Sequence, residues 1–158
     1  MKNLFHFIIF IATFFSGLQA KSQNGNRQPG CADTFILHQA DSVKQELFKQ
    51  GFIVVKEASM AMESEFEIPV IVPLTQGSWY QFVFIGDITS RLYEVRMFDW
   101  DEKQVAYQRK QWGDVDGNVI SYSYIPNNSE YHMIKPVQVN KKKKQMCGYV
   151  MLFKKVKK

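Results

Sequence analysis

The stretch WYQFVFIGDITSRLYEVRMF, residues 79–98, decides the fold. Residues 79–85 are almost wholly apolar and rich in aromatic and β-branched side chains, which is typical of a strand inside a sheet. Gly86 and Asp87 then predict a turn, and residues 92–98 predict a second strand. The stretch therefore predicts two short strands that are connected by a turn.

The same pattern continues on both sides of this stretch. Upstream, strands are predicted at 52–62, with a bulge near Ala58, and at 66–72, where Pro69 favours a position at a sheet edge. The downstream strands are predicted at 105–108, 119–125, 131–139 and 147–153. About eight short strands with regular turns favour an antiparallel, jelly-roll-like β-sandwich over parallel βαβ units.

One helix is predicted before the first strand. Asp33 can cap its N-terminus, and Gly51 suits its C-terminal stop. Between these two residues, apolar side chains recur at helical spacing, at positions 36, 40, 43 and 47. The fold class is therefore mainly β, with one α-helix preceding the sandwich.

The N-terminus predicts export. Lys2 precedes an apolar run at 4–15, and Ala20 supplies a small residue at a cleavage point. The run is about a dozen residues long, whereas a spanning helix needs about 20. We therefore expect a signal peptide at 1–20, a flexible leader at 21–30 and a helix-plus-sandwich domain at 31–158. The product would be periplasmic, cell-surface or secreted, with no transmembrane segment after removal of the signal.

Two cysteines, Cys31 and Cys147, follow the predicted signal. In an oxidising compartment an even count allows one disulfide, which would tie the segment before the helix to the last strand. The alternative is two separate buried thiols. The sequence predicts the disulfide.

Basic residues are concentrated near the C-terminus. Eight of the 19 Lys and Arg residues that follow the signal lie in the last 18 positions, four of them at 141–144. A nucleic-acid-binding face would instead interleave basic residues with aromatic ones, so nucleic acid is not an expected partner. Residues 141–144 are interpreted as a solvated loop, with contact to an anionic surface as the alternative.

One segment resembles the beginning of a calcium-binding loop. Asp114, Asp116 and Asn118 occupy the first, third and fifth positions of such a loop. Val119 stands where that loop has glycine, and Ile125 stands where it has glutamate. The same residues are also ordinary turn formers, so a plain turn is the alternative to a calcium site. No other cofactor is expected.

Two tryptophans flank the acidic loops. Trp100 precedes Asp101, and Trp112 precedes Asp114. Exposed tryptophans beside carboxylates would form a platform for a sugar ring, provided that the loops at 99–102 and 112–118 lie at one end of the sandwich. The alternative is that both tryptophans pack over the rim.

The sequence contains no pairing of a nucleophile with a base that is typical of covalent catalysis. His38 falls in the predicted helix and His132 in a predicted strand, and neither lies in a recognisable Ser or Cys motif. We therefore expect a protein that is not an enzyme.

Three segments resemble the pre-peptidase C-terminal domains of bacteria. Residues 74–82 are similar to their glycine-then-aromatic strand, 95–99 to their strand ending in Asp, and 124–134 to their late strand-Pro-turn-Tyr element. The whole chain also resembles small exported β-sandwich proteins of Bacteroidota. The resemblance implies a jelly-roll-like sandwich that accompanies secreted enzymes without being catalytic.

The expected function is an exported, non-catalytic accessory or binding domain. One alternative is a glycan-binding module that uses the acidic, Trp-flanked loops. Another is a structural subunit of a cell-envelope assembly, which an exposed apolar patch or an open sheet edge would favour. The expected partners are thus a glycan or an envelope protein.

Overall fold

The computed structural model describes residues 30–111 and 117–156. The predicted signal peptide and all but the last residue of the predicted leader fall on residues 1–29, outside the described residues. The described residues form one helix followed by eight strands, which confirms the predicted fold class. Among them, no helix is long and apolar enough to cross a membrane.

The helix α1 spans Thr34–Lys49. The Asp33 side chain accepts hydrogen bonds from the backbone N–H groups of Phe35 and Ile36 at 3.0 and 3.1 Å, as an N-cap residue does. Gly51 follows the helix with φ of 82°, a conformation that glycine adopts without steric cost. Both predicted helix ends are confirmed.

The strands form two four-stranded antiparallel sheets with the orders β1-β8-β3-β6 and β2-β7-β4-β5. Their bounds are β1 Phe52–Glu63, β2 Val70–Leu74, β3 Tyr80–Gly86, β4 Leu92–Phe98, β5 Gln104–Gln111, β6 Val119–Tyr124, β7 Glu130–Val139 and β8 Gln145–Lys155. Helix α1 packs on the outer face of the first sheet, which we call the covered sheet. The second is called the open sheet, because exposed side chains project from its outer face.

The apolar interior has two layers. The larger one lies between the sheets and includes Phe84 and Ile134, both fully buried. The smaller one lies between α1 and the covered sheet and includes Ile36, Val83 and Phe153. Strand β3 contributes to both layers and occupies an interior position in its sheet, as its apolar sequence predicted.

The first two strands differ in part from their predictions. The predicted strand at 66–72 begins only at Val70, because Phe66 is exposed and Pro69 precedes the strand. Its predicted edge position is confirmed. The irregularity in β1 lies between Val54 and Lys56 rather than near Ala58.

Cys31 and Cys147 form a disulfide with a Cα–Cα distance of 5.5 Å, as predicted. The bond joins the segment before α1 to strand β8 across 116 positions of sequence. It therefore fastens the helical layer to the beginning of β8, an interior strand of the covered sheet.

A buried polar network joins the two sheets at the end where β3 finishes. The fully buried Gln138 accepts a hydrogen bond from the Asp87 backbone N–H at 2.9 Å and donates one to the Cys147 carbonyl at 2.9 Å. The Asp87 carboxylate contacts the Lys143 ammonium at 2.5 Å. Burial by itself would raise the pKa of Asp87, but hydrogen bonds from Lys143 and Thr89 outweigh it and hold this pKa below its ordinary value of 3.8.

Candidate functional site

The residues predicted to bind a ligand fall into three groups. Trp100 and Asp101 lie in the turn between β4 and β5, and Trp100 is 69% exposed instead of packing over the rim. Trp112, Asp114 and Asp116 lie outside the described residues. Asn118 is described and buried.

The described residues that border the two acidic loops lie at opposite ends of strand β5. Strand β5 has eight residues, whereas the prediction at 105–108 had four. The turn at 99–103 precedes β5 and the loop at 112–118 follows it, so the two begin at ends about 23 Å apart at 3.3 Å per residue. The predicted composite site required a strand too short to cross the sheet, whereas β5 is twice as long as predicted, and residues 112–116 of that site lie outside the described residues.

The Asn118 side chain joins the helix to the covered sheet. Its amide exchanges two hydrogen bonds with the Gln39 amide, at 3.0 and 2.9 Å, and also donates to the Gly86 carbonyl at 2.6 Å. The side-chain oxygen that a calcium ion would need therefore already accepts a hydrogen bond. Within the described ranges no three His, Cys, Asp or Glu side chains are grouped closely enough to hold a metal ion.

Neither of the cysteines offers a thiol nucleophile, because both are in the disulfide. His38 is exposed on α1, and His132 is buried inside the sandwich. The Nε2 atom of His132 lies 3.2 Å from the Tyr124 hydroxyl oxygen, in a contact that packs the interior. The two cysteines and His132 thus have structural contacts, and His38 lies on the exposed face of α1.

An aromatic pair lies on the open sheet where β4 ends and β7 begins. The rings of Trp100 and Tyr131 are 6.3 Å apart between centroids, and Tyr131 is 54% exposed. The strand register explains this contact, because Phe98 lies opposite Met133 and the chain continues from there to Trp100 on one side and Tyr131 on the other. We call these two residues the aromatic pair.

A charged cluster lies on the same face, four residues along β4 and β7 from the aromatic pair. The Glu67 carboxylate contacts the Arg96 guanidinium at 3.2 Å and the Lys135 ammonium at 3.1 Å. Arg96 also forms an ion pair with Glu94. The Lys135 ammonium lies 5.1 Å above the ring of Phe98, in a cation–π contact. We call Glu67, Arg96 and Lys135 the ion cluster.

The alternation of β7 and β4 explains why these groups share a face. Tyr131 and Lys135 point outward, whereas His132 and Ile134 point into the sandwich. Arg96 and Phe98 project outward from the neighbouring strand β4. The outer face of the open sheet therefore presents exposed rings next to positioned donors and acceptors, a combination that binds ligands with both apolar and hydroxyl-bearing faces.

Sequence reasoning identified Trp100 and missed the rest of this surface. The strands β4 and β7 were predicted correctly, and their alternation gives the residues of each strand that point outward. These include Arg96 on β4 and Tyr131 and Lys135 on β7. The missing information was which strands are neighbours. Glu67 lies in a segment predicted as a strand, which in the structure precedes β2 and makes only isolated backbone hydrogen bonds to β7.

No protein-family model matches the chain, and no curated protein matches it. Among solved structures, it is similar to one described as "CBM4 structure and function", with a TM-score of 0.43 and 14% identity over 66% of this chain and 79% of that one. A second similar structure is TmCBM61 in complex with β-1,4-galactotriose, with a TM-score of 0.37 and 13% identity over 68% and 84%. A third is the Glycosylation Associate Protein (Gap123) complex from Streptococcus agalactiae, with a TM-score of 0.35 and 9% identity over 68% and 40%.

Proposed function

We propose that the protein is an exported, non-catalytic domain that binds a glycan on the outer face of its open sheet. The observation that carries this proposal is the aromatic pair, in which Trp100 and Tyr131 contact each other and still expose about half or more of their surface. Large exposed aromatic side chains on a rigid face favour binding of a partner with an apolar surface.

The ion cluster supports a ligand that also carries hydroxyl groups. A short glycan has sugar rings with apolar C–H faces, one of which can stack on the aromatic pair. Hydroxyls of a neighbouring sugar can hydrogen-bond to the ion cluster, which lies four residues further along β4 and β7, about 13 Å at 3.3 Å per residue. Arg96 and Lys135 hold the Glu67 carboxylate from two sides, so its oxygens are positioned before a ligand arrives. Such preorganisation reduces the entropy lost on binding.

The experiment is glycan-array screening of the purified protein, followed by calorimetry with the best ligand. Trp100→Ala and Tyr131→Ala are each expected to weaken binding by about tenfold or more, which corresponds to about 1.4 kcal/mol. Trp79→Phe is the matched control, because Trp79 is half-exposed next to the covered sheet, and its binding should equal that of the wild type. Binding that is unchanged in both alanine variants would contradict the proposal.

Residues 112–116 can be tested in the same assay. Trp112→Ala and Asp116→Ala are expected to leave binding unchanged. The residues that border this loop lie far from Trp100, because Gln111 ends β5 opposite Leu92 and Gly117 precedes β6, which begins opposite Ile85. A loss in these variants that equals the loss in Trp100→Ala would place the ligand elsewhere.

Export is part of the proposal. The predicted signal at 1–20 and the Cys31–Cys147 disulfide support it, because disulfides persist mainly in oxidising compartments. N-terminal sequencing of the mature protein should start near Lys21. A mature chain that retains residues 4–15 and remains in the membrane would contradict it.

A further inference from the structure

The end of the sandwich where β8 finishes carries a second surface, separate from the open sheet. Two adjoining grooves with volumes of about 930 and 690 Å³ lie there and share Ile53, Lys155 and Val156 in their walls. Five large apolar side chains on these grooves are each 45–55% exposed: Phe48, Ile53, Trp79, Ile125 and Val156. We call this surface the apolar end.

The charges on the apolar end have one sign. Lys49, Lys154 and Lys155 line the two grooves, and among the described residues of their walls there is no Asp or Glu. The nearest carboxylate on α1, that of Glu46, lines the neighbouring groove between α1 and the covered sheet. Two further lysines, at 157 and 158, follow in the sequence.

Two of these lysines lie beside aromatic rings. The Lys155 ammonium is 4.8 Å from the ring of Phe52 and 5.7 Å from that of Trp79, and the Lys154 ammonium is 5.7 Å from the ring of Tyr80. Cationic groups are therefore held at the level of the apolar side chains. Aromatic residues at the level of headgroups, with lysines beside them, are the features that bind an anionic membrane interface.

The opposite end of β8 differs, although it is equally rich in lysine. There Lys143 is paired with the carboxylate of Asp87, and neither of the two grooves includes a residue of the segment 141–144. The apolar end thus combines three lysines with five exposed large apolar side chains and has no Asp or Glu among the described residues of its two grooves. We propose that this end docks the protein on an anionic lipid surface, with Phe48, Trp79 and Ile125 entering the interface.

The test is co-sedimentation of the purified protein with vesicles of phosphatidylcholine, with and without phosphatidylglycerol. Mass spectrometry first establishes that the purified protein lacks the apolar run at 4–15, because that run would partition into lipid by itself. We expect binding to the anionic vesicles, loss of binding at high salt and little binding to neutral vesicles. The double variant Lys49→Gln/Lys154→Gln should bind about 30-fold more weakly.

The matched control is Lys141→Gln/Lys142→Gln, which removes the same charge at the opposite end of β8 from two exposed side chains. Its binding should stay within about twofold of the wild type. An equal loss in both double variants would overturn the proposal, because it would indicate attraction to net charge alone. Equal binding to neutral and anionic vesicles, or no binding to either, would also overturn it.

A spectroscopic measurement locates the contact. In a Trp100→Phe/Trp112→Phe background, Trp79 is the one remaining tryptophan, and its emission should shift to shorter wavelength and be quenched by brominated lipid. Ile125→Ser should reduce both signals. If ultracentrifugation instead shows a dimer that Ile125→Ser dissociates, and Trp79 does not respond to lipid, the apolar end contacts a second copy of the chain and the proposal is wrong.

Discussion

The two sheets of this sandwich have the same number of strands, but one outer face is covered by α1 and the other is exposed. In the covered sheet, β8 is buried on both faces over most of its length, because α1 lies over it. In the open sheet, β7 alternates between buried and partly exposed residues along its whole length. The covered face thus adds an apolar layer to the fold, whereas the side chains on the open face do not pack in the interior.

This difference indicates where changes of sequence should affect folding and where they should affect binding. Substitutions on the covered face remove buried area or an anchor of α1, so they should lower stability. Substitutions on the outer face of the open sheet remove exposed rings and exposed charges, so they should leave stability nearly unchanged. The predictions below test this division, from the largest expected effect to the smallest.

The largest effect is expected for Phe153→Ala on β8. Phe153 is fully buried between α1 and the covered sheet, where its ring also contacts that of Phe48. Loss of the ring should lower the free energy of unfolding by about 3–5 kcal/mol. Tyr131→Ala removes an aromatic ring of similar size from the open face and should cost less than about 1 kcal/mol. Urea denaturation measures both, and similar losses would contradict the division.

The second effect concerns the anchor of the covered face. Cys31→Ser/Cys147→Ser should lower the free energy of unfolding by about 2–4 kcal/mol, because the disulfide closes a long loop in the unfolded chain. Addition of a reductant to the wild type should produce the same change and should not affect the double variant. A reductant that leaves the urea midpoint of the wild type unchanged would contradict this prediction.

The third effect is pH-dependent and belongs to the buried network that connects the two sheets. Because the pKa of Asp87 is lowered in the folded state, its contribution to stability is complete above its ordinary value of 3.8 and is lost as the pH falls through the lowered folded value. Thermal unfolding should therefore show a loss of stability in that acidic range.

The control for this pH effect is Asp87→Asn. At neutral pH the variant should lose about 1–3 kcal/mol, because the ammonium of Lys143 loses its charged partner. Its stability should fall less steeply with acid than that of the wild type. Equally steep acid profiles in the two proteins would assign the loss to other carboxylates.

Local sequence signals predicted where the helix and strands lie in the sequence better than they predicted which elements are adjacent in the fold. Asp33 and Gly51 marked the helix ends because capping and left-handed backbone are local properties. The length of β5 was underestimated, since its residues after Ala106 are exposed or only partly buried and lack the clear alternation of a half-buried strand. The composite site of the acidic loops was predicted on the basis of this short strand.

The candidate site was predictable only in part for the same reason. Trp100 was conspicuous as a tryptophan in a turn, whereas Tyr131 and Arg96 gained significance only from the pairing of β4 with β7. Glu67 reaches the ion cluster from the segment before β2, which the sequence suggested was itself a strand. Contacts between elements distant in sequence were the missing information.

The smallest effect on stability is expected for Glu67→Gln in the ion cluster. The Glu67 side chain is 35% exposed, and its partners Arg96 and Lys135 are 41% and 29% exposed, so water screens their attraction. Arg96 also keeps its ion pair with Glu94 in the variant. The free energy of unfolding in urea should therefore change by less than about 1 kcal/mol.

The same Glu67→Gln substitution should still weaken glycan binding measured by calorimetry, because it removes a carboxylate that is held in place for ligand hydroxyls. The control for the loss of glycan binding is Asp101→Asn, which removes one negative charge from an exposed residue in the turn. This residue lies next to Trp100 and outside the ion cluster. If Glu67→Gln lowered stability as much as Phe153→Ala, the ion cluster would be part of the folding framework. If it changed neither stability nor binding, the aromatic pair alone would account for recognition.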